Sequence, residues 1–319
     1  MKRLLATLAI PFFLTACGSD DATNEAPAFP KTLAFSDDYI ATFDMTDIQD
    51  ASADITVTIT DADGNSPIDS NVTVTPLMNM VSGMEHDTPM ASRSGPLDEN
   101  NQFKTTAYFL MPSGPEMGVW SFTVGFDGEE ETFEIDVNMM TSEREVLVGT
   151  SDSISSMGNE TGRPYILFNE ARHVTDDMNS FTVFIAARET MMKHTSLVDG
   201  ITLTGTAAMD MSEMSISLFN PTAREMVMPA YSLMNTSVFV EMCATECGTE
   251  SNWITANTVA DFPGQYKATG LGLSGDASDM INVRLTVNDE IKVKADGSAQ
   301  YATFTFTDSG DNSGMTHSM

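Results

Sequence analysis

The sequence predicts an all-β protein built from two β-sandwich domains. Three observations carry this. Short segments alternate strictly between apolar and polar residues, which is the side-chain period of a half-buried strand. No stretch repeats apolar residues at helical spacing over three turns. An internal repeat of strand-like segments points to two copies of one unit. The chain has 319 residues, enough for two ordinary domains, and 41% of them are hydrophobic, enough for a core in each.

The first element is not structural. Lys2 and Arg3 precede a mostly apolar run from Leu4 to Leu14, which is too short to span a bilayer as a helix. It ends in Leu14-Thr15-Ala16-Cys17, which resembles a bacterial lipobox in length, position and residue types. The resemblance implies a signal peptide at 1–16, cleavage before Cys17, and lipid on its thiol and new N-terminus. Gly18 follows where an Asp would favour retention, so the resemblance implies transfer to the outer membrane. Residues 17–32, rich in Asp, Ala, Asn, Glu, Ser and Pro, read as a flexible tether.

Strands follow in order. Ile55-Thr56-Val57-Thr58-Ile59-Thr60 and Val72-Thr73-Val74-Thr75 alternate cleanly. Trp120–Val124 and Thr132–Val137 flank the turn Asp127-Gly128. Phe181–Ile185, Ile201–Thr204, Val283–Val287 and Ala302–Phe306 repeat the pattern. Gln102 to Val124 aligns without gaps on Gln265 to Val287, sharing Gln, Lys, Thr, Leu, Met, Thr and Val at matching places. Upstream, Thr73–Met80 aligns on Thr204–Met211, both ending in Met-x-Met. The expected domains are therefore 33–140 and 163–307. A linker at 141–162 joins them, the second carries an insertion at 215–250, and residues 308–319 form a disordered polar tail.

The first domain contains Met78, Met80, Met84, His86 and Met90 within thirteen residues, then Met111-Pro112 and Met117-Gly118-Val119-Trp120. Together these strings resemble the YtkA-like family, to which FixH-type periplasmic domains are related. Asn100-Asn101-Gln102-Phe103 stands where the family has Gly-x-Tyr, and the hairpin from Met111 to Trp120 carries extra residues. The resemblance covers about 60–140 and implies an immunoglobulin-like sandwich and a periplasmic role linked to copper handling.

The chemistry of these residues can be weighed separately. A thioether is a soft, uncharged ligand that selects Cu(I) over hard ions. Met-x-Met on a strand puts both side chains on one face, and Met84 and His86 repeat that spacing. Two readings stay open: a Cu(I) site formed by Met78, Met80, Met84, His86, Met111 and Met117, or core and loop packing by the same residues. Shared-site geometry requires part of the long segment 81–101 to run back as a further strand. The hairpin bearing Met111 and Met117 then meets the others at one pole, with Trp120 beneath. Met209, Met211 and Met214 lack a neighbouring histidine, Met191-Met192-Lys193-His194 is a poor partner for them, and Met315–Met319 sits in the tail. Cys243 and Cys247, four apart, read as a small disulfide loop outside the cytoplasm.

Composition bounds the rest. With 46 acidic and 15 basic residues, a formal charge of −31, the chain lacks the basic footprint that nucleic acid requires. It shows no phosphate loop, no nucleophile triad and no His-x-x-x-His or Cys-x-x-Cys ligand set, so no enzyme is expected. The functional expectation is an outer-membrane lipoprotein that binds or hands on Cu(I), with the membrane and an envelope protein or copper carrier as partners. The alternative is a structural or protein-interaction module of the envelope without metal.

Overall fold

The computed structural model describes residues 29–35, 39–49, 52–65, 67, 71–137, 144–156, 159–170, 180–190, 193–205, 231–233, 236–244, 247–260, 262–273 and 279–305. The segments expected to be a signal peptide and tail, Cys17, most of the expected tether, Met191, Met192 and Met209 to Met214 lie outside these residues.

The protein is all-β. In the first half the strands are β1 (Lys31–Phe35), β2 (Tyr39–Gln49), β3 (Ser52–Asp61), β4 (Asn71–Met80), β5 (Glu85–His86), β6 (Ser94–Pro96), β7 (Gln102–Tyr108), β8 (Gly118–Phe126) and β9 (Glu129–Ile135). They form two antiparallel sheets. One has the order β1-β2-β3-β7; the other runs β5-β4-β8-β9, with β6 also on β4. Alternation in β3 buries Ile55, Val57 and Ile59 and leaves Thr56, Thr58 and Thr60 on the other face. These residues pack on Val72, Val74, Phe122 and Val124 from the second sheet, giving one core between the layers.

The segment 81–101 does run back along β4, as shared-site geometry requires, but in two pieces. Met78 pairs with His86 at one end, and Thr73 with Ser94 at the other. The break has a local cause. Even-numbered residues of β4 donate their N–H toward this side, as Val74 does to Arg93 (2.8 Å) and Met80 to Met84 (2.9 Å). Pro76 lies between them and has no N–H to give.

The second half contains β10 (Arg144–Ser156), β11 (Asn159–Asn169), β12 (Ser180–Thr190), β13 (Lys193–Ser196), β14 (Leu203–Gly205), β15 (Tyr231–Leu233), β16 (Val238–Cys243), β17 (Ile254–Thr255), β18 (Asn257–Thr258), β19 (Gln265–Thr269), β20 (Met280–Val287), β21 (Glu290–Ile291), β22 (Val293–Lys294) and β23 (Ala302–Thr305). One sheet has the order β18-β19-β12-β11-β10-β22; another runs β17-β16-β20-β21, with β23 also on β20. The run β10-β11-β12-β19 repeats β1-β2-β3-β7, and β17-β16-β20 repeats β5-β4-β8. The aligned segments 102–124 and 265–287 thus occupy matching strands.

Three expectations about organisation change. Residues 144–156, inside the segment read as a linker, form the long strand β10, paired over most of its length with β11. The partner of β20 that matches β4 is β16, and Met242 faces Val283 as Met78 faces Trp120; of the expected segment 204–211, Thr204 and Gly205 pair with β15 and the rest lies outside the described residues. Consequently β16 lies in the sheet rather than in an insertion over 215–250, and the extra chain falls in the connection from β12 to β16, which includes the β14–β15 pair.

Candidate metal site at the pole of the first domain

Strand β4 ends at Met80, and a three-residue connection, Val81 to Gly83, returns the chain at Met84. Met80 N–H donates to the Met84 carbonyl (2.9 Å) and Gly83 N–H to the Met80 carbonyl (2.9 Å). Gly83 takes φ of 80°, the left-handed conformation this turn needs. Met78 is paired with His86, and Asn79 with Glu85. Side chains at facing positions of an antiparallel pair share a face, so Met78, Met80, Met84 and His86 all lie on one face of this hairpin.

The second hairpin reaches the same pole. Gly118 pairs with Met80, and Val81 N–H donates to the Met117 carbonyl (3.2 Å). Trp120 is fully buried opposite Met78, and its Nε1–H donates to the Met111 carbonyl (3.0 Å). The chain thus brings the hairpins bearing Met80, Met84, Met111 and Met117 together. A surface hollow of about 560 Å³ lies beside them, lined by Met80, Val81, Ser113, Gly114 and Asp136 among others.

Burial separates the six candidate ligands. Met78 has no exposed surface and belongs to the core. Its structural counterpart Met242 is equally buried in the second domain, which marks this position as packing. Met80, Met111 and Met117 pack against the core while remaining partly exposed. Met84 is 42% exposed. Met90, by contrast, is a core residue. The second domain does not copy the rest of the pole. Ile254 stands opposite Met242 where His86 stands opposite Met78, and Cys243, the last residue of β16, is joined to Cys247 as a disulfide.

His86 is half-buried. Burial lowers its pKa, and the nearby Arg188 and His194 lower it further, which favours the neutral imidazole. Both neighbours belong to the second domain. Asp87 accepts from His194 Nδ1 (3.1 Å), from its backbone N–H (3.2 Å) and from Arg93 (2.8 Å). His194 is buried, and its Nε2 has no hydrogen-bond partner. This inter-domain group was not legible in the sequence, because Asp87 and His194 are far apart in the chain, and the Met191–His194 string reads only as a poor partner for Met209 to Met214. Among the described residues, no three His, Cys, Asp or Glu side chains converge as a metal-binding group. The soft donors are therefore the thioethers, with His86 as the imidazole on their face.

No family model matches the chain, and no curated protein sequence does. Among solved structures, the chain is similar to the adhesin InvE of Yersinia pseudotuberculosis, with 11% identity and a TM-score of 0.21. The match covers 83% of this chain and 58% of the adhesin's.

Proposed function

We propose that this protein is an envelope lipoprotein of two immunoglobulin-like sandwiches, held at the outer membrane by lipid on Cys17, whose first domain holds or hands on Cu(I) without catalysing a reaction. The lipobox-like string supports the anchor. The pairing of β3 with β7, and of β4 with β8 and β8 with β9, supports the immunoglobulin-like description, since it matches the B–E and C–F–G pairings of that fold. The Met/His strings resembling the YtkA-like family support copper.

One observation carries the metal reading: the register of the hairpin places Met80 opposite Met84, with Met117 beside them, at a rim that is open to solvent. Thioethers have no proton to lose and form low-coordinate complexes with a soft monovalent ion. Met80, Met84 and Met117 would supply such donors, Met111 a fourth, and His86 an imidazole; Met78 would support them from below. Delivery would be to an envelope protein or copper carrier. A second reading, a structural or interaction module without metal, is favoured by the packing of Met80, Met111 and Met117 against the core.

Anaerobic titration of the full-length protein with Cu(I), against a chromophoric competing chelator, separates the two. One equivalent should bind, and Met80→Leu should weaken binding about tenfold or more while shifting the unfolding midpoint little, because the swap conserves volume. Wild-type affinity in both Met80→Leu and Met84→Leu would refute the copper reading.

A further inference from the structure

The two domains meet where Ala91 and Tyr108 of the first pack on Ile166, Phe168, Phe184 and Ala186 of β11 and β12, and Gln265 of β19 donates to Tyr108 Oη (3.1 Å). Beside that contact lies a cleft of about 490 Å³. Its walls come from both domains, where ligand sites tend to form. The first domain contributes Asp54, Thr56, Lys104 and Thr106, and the second Glu170, Thr182, Gln265 and Lys267, with Val259 and Phe262 as the apolar part.

The lysines are the unusual feature. Lys104 and Lys267 occupy matching positions of the repeat, and each is paired across its sheet with a threonine, Thr56 and Thr182. Acidic residues outnumber basic ones 46 to 15 in this chain, yet Lys267 has no ion-pair partner among the described residues. Lys104 has only a loose one, Asp98 at 3.8 Å. Asp54, half-buried and accepting from Thr106 Oγ1 (2.9 Å), completes the cleft, and Glu170 is buried in its wall. Phe262, 38% exposed, lines this space.

The geometry points to a binding site for a zwitterion with an apolar side chain, an amino acid of the phenylalanine type. A purely anionic ligand would face Asp54, and a purely cationic one Lys104 and Lys267. A zwitterion sets its carboxylate against the ammonium groups and its ammonium against Asp54, with its side chain on Phe262 and Val259. Each end supplies a charge-assisted hydrogen bond. This inference does not rest on the copper reading, because the cleft uses none of the pole's side chains.

Calorimetric titration of the full-length protein with phenylalanine, 3-phenylpropionate and phenethylamine tests it. The latter two lack the ammonium and the carboxylate respectively. Phenylalanine should bind, and each analogue should bind about tenfold more weakly or worse, as should phenylalanine to Lys267→Met and Asp54→Asn. Thermal midpoints of both variants near that of the wild type would show that the walls remain folded. No binding of phenylalanine at 10 mM or below (roughly the limit for a site of this kind) would overturn the proposal. So would equal binding of all three compounds, or binding unchanged in both variants.

Discussion

Gly118 shows how one missing side chain shapes the pole. It takes φ of 137°, and a Cβ built there would lie 2.1 Å from the Asn79 carbonyl oxygen and 2.8 Å from the Met80 Cα. Both close atoms are backbone, so no side-chain rotation relieves the clash. The absence of a side chain here also leaves one flank of Met80 uncovered, since the two residues are cross-strand partners. Gly118→Ala should therefore cost about 2 kcal/mol or more, from strain at a positive φ together with overpacking. Urea unfolding read by Trp120 fluorescence measures this, and a change near zero would mean that β4 and β8 separate there without penalty. Met80→Leu offers the contrast at the facing position, because it changes donor chemistry with little change in volume.

At the scale of elements, β10 buries Leu147 and Ile154 and is fixed between them by ionic contacts. Its pairing with β11 shifts register between Val148 and Ser153, and the chain there is fixed by Glu290. That carboxylate accepts from Ser151 N–H (2.9 Å), Ser151 Oγ (2.8 Å), Lys292 Nζ (2.7 Å) and Thr150. Beneath it, buried Arg163 donates to Asp152 (2.9 Å), which also meets Tyr165 and lies 3.9 Å from Lys292. Burial raises the Glu290 pKa, but Lys292, Thr150 and Ser151 outweigh it and hold the carboxyl far below the usual range. A folded-state pKa below the unfolded value of about 4.3 gives stability that is complete above roughly pH 5 and lost as pH falls toward the folded value. Glu290→Gln should thus be less stable than wild type at pH 7, and the gap should narrow from pH 5 to pH 3. Urea midpoints across that range test this, and a gap independent of pH would remove Glu290 from the account. The same region explains what the sequence concealed. Ile55, Val57 and Ile59 alternate with threonines and read directly as a strand, and the Gln102 and Gln265 repeats read as matching strands. Arg144 to Ser156 reads as a polar linker because its two buried hydrophobic residues, Leu147 and Ile154, stand on either side of the register shift and keep no common period, while Arg163 and Lys292 hold the polar stretch between them through Asp152. At the pole, spacing gave the shared face of Met78 and Met80. It did not separate buried Met78 from half-open Met80, since that depends on Trp120 opposite one and Gly118 opposite the other.

At the scale of the molecule, the two sandwiches share a third, smaller apolar cluster. Tyr108 and Ala91 of the first domain meet Ile166, Phe168, Phe184 and Ala186 of the second, all of them buried. In β11 and β12 these residues sit at alternate positions that point away from the domain's own core, so the strands carry apolar side chains on both faces. The rings of Tyr108 and Phe184 stack at 3.7 Å with planes 1° apart, and Tyr108 Oη accepts from Gln265 Nε2 (3.1 Å). The Asp87–His194 contact and the bond from Ser196 Oγ to the Met90 carbonyl close the rim. An interface with a buried aromatic centre couples the stability of the two halves, because neither can unfold without exposing the other's rings. Thermal unfolding of the wild type should therefore show one transition. Phe184→Ala removes the centre of the stack, and a buried Phe→Ala change costs about 3–5 kcal/mol. Phe184 lies outside the second domain's own core cluster, so most of that loss should fall on the coupling, and calorimetry should resolve two transitions, one per domain. A single transition shifted as a whole would place the coupling elsewhere, in the Asp87–His194 rim, and Asp87→Asn would then be the variant that divides it.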